Sequence, residues 1–341
     1  MDVQVHRDNI DSAMWDSLLR AVPDHIHNIY QTQEWARLVR RCYGAKPCFL
    51  AVSNDSEIVG GMLYFRKSVF KAFHAIETSG GPLCVGQGQG RSLESKIIES
   101  LISAERNPLY ILTRPVMLSD NYGEYGSTGF LENEFFTILL GLSQEIEGIW
   151  SGLSQNARRG VKKAEKSGVQ VREAQSWKDW RDFHDLHCLH SRKRGIAVKS
   201  LDFFDEVFRN FVPKNMAKLF LTEDSGTTNG GALFLAYGDV FIYYIGASDD
   251  QTKYSPHDIL FWNAITWANK HGYRVFDIGD TWPDPKSHLY TIHTFKMKWG
   301  GRVARSSHYV KGRMYMLGRR LVLNASPVQR IYESLHEKML I

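Results

Sequence analysis

Ile58-Val-Gly-Gly-Met-Leu-Tyr-Phe65 and Gly230-Gly-Ala-Leu-Phe-Leu235 are the stretches on which the reading of this 341-residue chain turns. Each is an apolar run carrying a Gly-Gly pair, and Gly60-Gly61 and Gly230-Gly231 lie 170 residues apart, half the chain. Each follows an earlier apolar run and a turn signal: Cys48–Val52 and Asn54–Glu57 before the first, Leu219–Thr222 and Asp224–Asn229 before the second. Working onward, Gly81–Val85 reads as a strand, Ser92–Arg106 as a helix and Leu109–Leu112 as a strand. In the second half Phe241–Ala247, His257–Asn269 and Arg274–Ile278 repeat that order. The pattern predicts two copies of one mixed α/β unit, built as hairpin, strand, helix, strand.

Composition agrees with a two-domain globular protein. Hydrophobic residues make up 43% and charged residues 23%, which excludes bulk disorder and fibres. The four cysteines, Cys42, Cys48, Cys84 and Cys188, form no C-x-x-C pair, so neither a disulfide scaffold nor a cysteine zinc ribbon is expected. The first residues lack the apolar stretch of a signal peptide, and the longest apolar-rich run, Phe135 to Leu142, is too short to span a bilayer. A cytoplasmic protein with at most peripheral membrane contact is expected; the oligomeric state is not legible.

Net charge is +5, unevenly spread. Between Ser154 and Arg172 stand Arg158, Arg159, Lys162, Lys163, Lys166 and Arg172, opposed by Glu165 alone. Lys286, Lys296, Lys298, Arg302, Arg305, Lys311 and Arg313 form a second run without an acid. Concentrated charge of one sign attracts a partner of the other. Arg158, Lys162 and Lys166 recur every four residues and would share one helix face, where like charges repel until an anion, typically phosphate, neutralises them.

Hairpin–strand–helix–strand resembles the core of the N-acetyltransferase-like (GNAT) fold. That fold holds a pyrophosphate on a Gly-rich loop at a helix N-terminus. Gly86-Gln-Gly-Gln-Gly-Arg91 is such a loop in the first half, whereas Ala247–Pro256 in the second has no glycine. Further stretches carry a closer resemblance. Ser154-Gln-Asn-Ala-Arg-Arg-Gly-Val-Lys-Lys-Ala-Glu-Lys-Ser-Gly168 resembles the R-x-x-I-x-x-A-x-K-x-G helix of the FemAB family. Tyr243-Tyr-Ile-Gly-Ala-Ser248 is similar to its Y-x-x-G-A-S strand, and Tyr254-Ser-Pro256 with Leu260-Phe-Trp262 to its Y-x-P…L-x-W helix start. Gly272–Gly279 resembles G-x-x-x-Y-D-x-G, Thr294–Gly301 resembles F-K-x-x-F/W-G-G, and Tyr30-Gln-Thr-Gln-Glu-Trp35 resembles Q-S-x-E-W.

The resemblance implies two GNAT-like domains in tandem facing a shared cleft, at 1–148 and 149–311, with 312–341 folding back on the first. It implies an aminoacyl-tRNA-dependent transferase acting on an amine of a phosphate-bearing acceptor such as a cell-wall precursor, without a further cofactor. In that reading Lys296 is the cleft lysine that meets substrate phosphate or developing negative charge. Tyr244, Tyr254 and Trp35 contribute to substrate binding, and Arg158 and Lys162 anchor phosphate. An acyl-CoA-dependent N-acetyltransferase, favoured by the Gly86–Gly90 loop, and a non-catalytic polyanion-binding protein, favoured by the basic runs, are the alternatives. The family's coiled-coil arm is absent.

Other constellations fall away. His184, His187 and His190 would fan around a helix too widely for one ion, so no metal site is expected. H-E-x-x-H, G-x-x-x-x-G-K-S/T and G-x-S-x-G are missing. In Phe276-Asp-Ile278 a carboxylate stands on the strand face opposite two apolar residues. Asp277 either caps the following loop or orients an attacking amine; it and His257 are the candidate general bases, with the substrate's own groups as the alternative. Phe295, Met297 and Trp299 alternate with Lys296 and Lys298, which predicts a strand with both lysines turned away from the core; the family resemblance implies that position 298 is variable and without a special role.

Overall fold

The computed structural model describes residues 3–7, 10–22, 28–54, 57–69, 73–86, 90–115, 124–224, 226–249, 251–287, 289–305 and 307–312. The chain forms two compact units, Met1–Glu134 with Ser306–Ile341, and Phe135–Arg305. Along unit 1 run β1 (Val3–Arg7), α1 (Ser12–Ala21), α2 (Gln33–Tyr43), β2 (Lys46–Asn54), β3 (Glu57–Val69), β4 (Phe73–Ser79), β5 (Leu83–Cys84), α3 (Gly90–Ala104), β6 (Ile111–Arg114), α4 (Glu124–Ser127) and β7 (Leu131–Asn133). Unit 2 follows with β8 (Phe136–Gly141), α5 (Ile146–Gly152), α6 (Gln155–Lys166), β9 (Gln170–Glu173), α7 (Trp177–Arg194), α8 (Leu201–Asn210), β10 (Ala217–Asp224), β11 (Thr227–Tyr237), β12 (Val240–Ser248), α9 (Pro256–Lys270), β13 (Val275–Thr281), α10 (Tyr290–Met297) and β14 (Arg302–Arg305). A last strand, β15 (His308–Lys311), belongs to the first sheet.

The two sheets have matching orders, β1-β2-β3-β4-β6-β15-β7 and β9-β10-β11-β12-β13-β8-β14. The Gly-Gly pairs occupy equivalent places. Gly60 lies opposite Val52 and Gly230 opposite Thr222, and in each hairpin the next residue toward the turn marks a register shift. The reason for glycine is also the same. A Cβ at Gly60 would meet Leu93 and Ile97 of α3, and one at Gly230 would meet Pro256 of α9. Their neighbours face the other side, where a Cβ at Gly61 would strike Trp15 of α1 and one at Gly231 Phe183 of α7. Bare backbone lets a helix press on each face of each sheet.

The units divide at Glu134/Phe135 and return at Ser306, not at 148/149 and 311/312. The cause is pairing: β8 joins β13 and β14 in the second sheet, while β15 joins β6 and β7 in the first. Two short strands at the seams thus fix the boundaries. The expected packing of 312–341 lies, beyond Gly312, outside the described residues, as do 87–89 of the Gly-rich loop.

The Thr294–Gly301 motif is a helix ending, not a strand. Phe295 and Trp299 both pack on Phe261 of α9, at ring distances of 5.4 and 5.1 Å. That i, i+4 partnership is helical, and it mimics alternation over so short a stretch. The helix ends at Met297 and the turn after it closes at Gly300, with φ +82°, where a Cβ would stand 2.8 Å from the Gly152 carbonyl oxygen.

Candidate active site

β12 and β13 run parallel and pair only over Val240–Ile242 and Val275–Asp277, so the two strands part beyond Asp277. On its other edge β13 carries a bulge. Asp277 pairs with Leu139 and Asp280 with Thr137, three residues against two, with Gly279 at φ +86°. The bulge curls the backbone round the Asp277 side chain. Its Oδ1 accepts the Gly279 N–H at 2.9 Å and the Thr137 hydroxyl at 2.5 Å. Phe276 and Ile278 point the opposite way into the apolar core.

Lys296 reaches this bulge from α10. Its Nζ donates to the Asp280 carbonyl at 2.6 Å and lies 3.2 Å from where a Gly279 Cβ would be. A side chain at 279 would displace the ammonium, so glycine serves the close approach as well as the turn. Both charged groups are buried, at 3% exposure for Asp277 and 9% for Lys296. Burial pushes the Asp277 carboxyl up to about 6, against the pull of the Thr137 and Gly279 hydrogen bonds. Burial also brings the Lys296 ammonium down to about 8, with Asp280 and Asp277 opposing. An acid and a base, each moved toward neutrality and held beside parted strands, can exchange protons with a bound substrate.

His257, at the start of α9, lies at the adjoining stretch of β12. A Cβ at Gly246 would meet its Nε2 at 2.7 Å and would also meet the Tyr243 hydroxyl. The His257 ring stands edge-on to Phe295, 6.2 Å between centroids. Tyr243 is packed on Phe261, and burial raises its phenol. At the far end of the bulge, Thr281 Oγ1 and His293 Nδ1 share a 2.9 Å hydrogen bond.

Several expected substrate contacts are structural. One guanidinium nitrogen of Arg158 donates to the carbonyls of Ser151 (2.8 Å) and Leu153 (2.6 Å), fastening the C-terminus of α5. The Tyr254 hydroxyl accepts from Asn229 Nδ2 at 2.6 Å, and Asn229 Oδ1 accepts from Thr222, so Tyr254 belongs to the buried polar ties of the fold. Trp35 is 1% exposed in unit 1, edge-on to Tyr30. Tyr244 is half-buried, stacked on Phe203 at 5.8 Å with Lys199 over its ring. Lys162 does stand exposed on α6 with Arg159, Lys163 and Lys166, because Ala157, Val161 and Ala164 take the buried face.

The second basic run does not form one face. Lys296 is buried, Lys311 donates to the Thr128 carbonyl in unit 1, and Arg313 lies outside the described residues. Lys298, expected to be unremarkable, is ion-paired to Asp258 at 2.5 Å, with side-chain exposures of 18% and 8%. Asp258 Oδ2 lies where a Gly160 Cβ would be, so α6 and α9 meet tightly at this pair. Thr137, Gly279 and Asp258 were not singled out from sequence. Only Gly279, the end of the Gly272–Gly279 motif, offered a signal. Among the described residues no group of His, Cys, Asp and Glu could hold a metal ion.

Comparison with known proteins follows this geometry. Residues 151–284 match the family model described as acetyltransferase (GNAT) domain. A lipid II:glycine glycyltransferase of Staphylococcus haemolyticus (strain JCSC1435) is 30% identical over 89 residues, 25% of this chain and 21% of that protein. The match therefore spans about a fifth of that curated relative. The crystal structure of FemX superposes with a TM-score of 0.75 at 16% identity, covering 92% of this chain and 99% of that one. L-PGS from Bacillus licheniformis gives 0.60 at 11% identity, over 94% and 97% of the two chains. A tandem GNAT protein from the clavulanic acid biosynthesis pathway gives 0.54 at 10%, over 91% and 98%. The fold is two GNAT-like domains in tandem, and the resemblance to the FemAB family is borne out.

Proposed function

We propose that this chain, FemAB-like in motif order and a tandem GNAT protein in fold, is an aminoacyltransferase whose chemistry resides in unit 2. The observation that carries this reading is the buried Asp277–Lys296 arrangement at the β13 bulge. The donor is an aminoacyl ester on tRNA, and the acceptor is an amine on a phosphate-bearing cell-wall precursor. The glycyltransferase relative, whose name gives lipid II as acceptor, supports the acceptor class.

In the reaction the acceptor ammonium gives a proton to the Asp277 carboxylate. The amine then forms the new C–N bond at the ester carbonyl. Lys296 Nζ, keeping one N–H on the Asp280 carbonyl, has others to donate to the developing oxyanion. Collapse breaks the C–O bond; the second proton of the nitrogen passes to the leaving tRNA hydroxyl, and Asp277 returns the first to solvent. The exposed lysines of α6 supply remote binding energy for phosphates.

A second reading keeps the same residues and replaces the ester by an acyl-CoA thioester. The acetyltransferase family match favours it. Single-turnover transfer to a nucleotide-linked muramyl peptide, with aminoacyl-tRNA and acetyl-CoA offered in competition, separates the two. With the true donor, Lys296→Ala should lower the rate at least tenfold, about 1.4 kcal/mol of transition-state stabilisation. Unchanged transfer would remove the site from the chemistry. The expected cytoplasmic location is part of this reading. Among the described residues no helix is long and apolar enough to cross a membrane.

A further inference from the structure

The end of α7 and the turn into α8 expose four aliphatic side chains. Leu189 is 61% exposed, Ile196 44%, Val198 42% and Leu201 43%. Cations stand between them: Arg192, Lys193 and Arg194 are exposed, Lys199 is half-buried, and no acid occurs from Leu186 to Leu201. The nearest acids in sequence are Asp185 and Asp202.

This display is held by the fold. Gly195 ends α7 with φ +66°, and the Ile196 N–H returns to the Ser191 carbonyl at 3.0 Å. The Lys199 N–H donates to His187 Nε2 at 3.1 Å, and Ser200 caps α8 through the Phe203 N–H. Burial lowers His187 to about 4, so the ring stays a neutral acceptor at neutral pH. These hydrogen bonds hold the exposed aliphatic and cationic side chains of the turn in a fixed display.

We propose that this turn is a docking surface for an anionic lipid bilayer. Aliphatic side chains spaced singly among cations match an interface where alkyl groups enter the acyl boundary and ammonium and guanidinium groups meet lipid phosphates. A folded protein partner would favour a contiguous apolar patch with aromatic anchors, which this turn lacks. The turn touches the strand that parts from β13: Lys199 lies 5.9 Å over the ring of Tyr244 on β12. Docking there would bring a lipid-linked acceptor to the parted strands. The binding itself is read without turnover, so its failure is distinct from failure of the proposed transfer.

The test is co-sedimentation of the full chain with vesicles of phosphatidylcholine containing 30% phosphatidylglycerol, beside vesicles of phosphatidylcholine alone, at about 0.1 M salt. The wild-type protein should partition onto the anionic vesicles at least tenfold more strongly. Leu189→Ser with Ile196→Ser, and separately Arg192→Gln with Lys193→Gln, should each lower that partition at least fivefold while the melting temperature stays within a few degrees. These positions are exposed, so folding should survive. Absence of binding by the wild type overturns the proposal, as does a stable dimer that hides the turn. Binding that falls with the charge variant but not with the aliphatic one also overturns it, because any polyanion would produce that result.

Discussion

The two units share a strand order, a Gly-Gly pair and a hairpin shift, yet they differ in where the parallel strand pair of each sheet ends. In unit 2 the parallel pair ends at Asp277, the third residue of β13. In unit 1 the corresponding pair is closed along all of β6, from Ile76↔Ile111 to Ser79↔Arg114. The third residue of β6 is Thr113, whose hydroxyl lies 3.2 Å from the Tyr125 hydroxyl; Tyr125 is stacked on Tyr309 at 4.4 Å. Burial and the Glu94 charge raise both Tyr125 and Cys84, the latter to about 12, so these two groups stay protonated. Among the described residues the duplicated fold thus parts a strand pair in unit 2 and fills the corresponding place in unit 1. The difference is made by where strand pairing stops and what the next strand offers.

Asp277→Asn should produce the largest effect, a fall in kcat/KM of about a hundredfold or more, in the range for loss of a positioned base. Thr113→Ala in the filled unit should leave kcat/KM within about twofold. Comparable losses from both would erase the distinction between the units.

Lys298→Ala should act on stability. It leaves the Asp258 carboxylate buried beside Gly160, at a cost of about 2 kcal/mol after allowance for the partial exposure of the lysine. Urea unfolding should show this, and adding Asp258→Asn should recover part of the loss. Additive effects would mean that the pair is not coupled.

The pH profile of kcat/KM should be bell-shaped, rising through about 6 as Asp277 ionises and falling through about 8 as Lys296 loses its proton. Stability carries the same groups with known sign. The folded Asp277 binds its proton more tightly than the ordinary 3.8 of the unfolded chain, so its contribution is present below that value and is lost as pH rises through about 6. Lys296 is lowered from 10.5, so its contribution is present above that value and is lost as pH falls through about 8. Asp277→Asn and Lys296→Met should each remove one limb of both profiles.

The smallest effect concerns α6. Lys162→Ala should reduce the salt dependence of tRNA binding by about one unit of log–log slope, with little change in melting temperature. An unaltered slope would leave the exposed basic face of unit 2 without a phosphate partner.

The duplicated α/β unit was legible in the amino-acid sequence alone, because apolar periodicity, turn residues and Gly-Gly spacing are local signals that both halves repeat. The sequence also marked Asp277 and Lys296, through strand alternation in one case and motif resemblance in the other. It did not determine the seams, since β8 and β15 are short strands whose sheet is chosen only by distant partners. It misread α10, because Phe295, Met297 and Trp299 satisfy a strand and a helix equally until Phe261 is in place. Arg158, Tyr254 and Trp35 have side chains suited to binding, but whether a guanidinium, phenol or indole meets a ligand or its own fold depends on which carbonyls, amides and rings lie nearby. The site likewise needed tertiary structure. Thr137 is 140 residues from Asp277, and only the β8–β13 pairing and its bulge bring hydroxyl, carboxylate and ammonium into one buried place where desolvation can move their proton affinities.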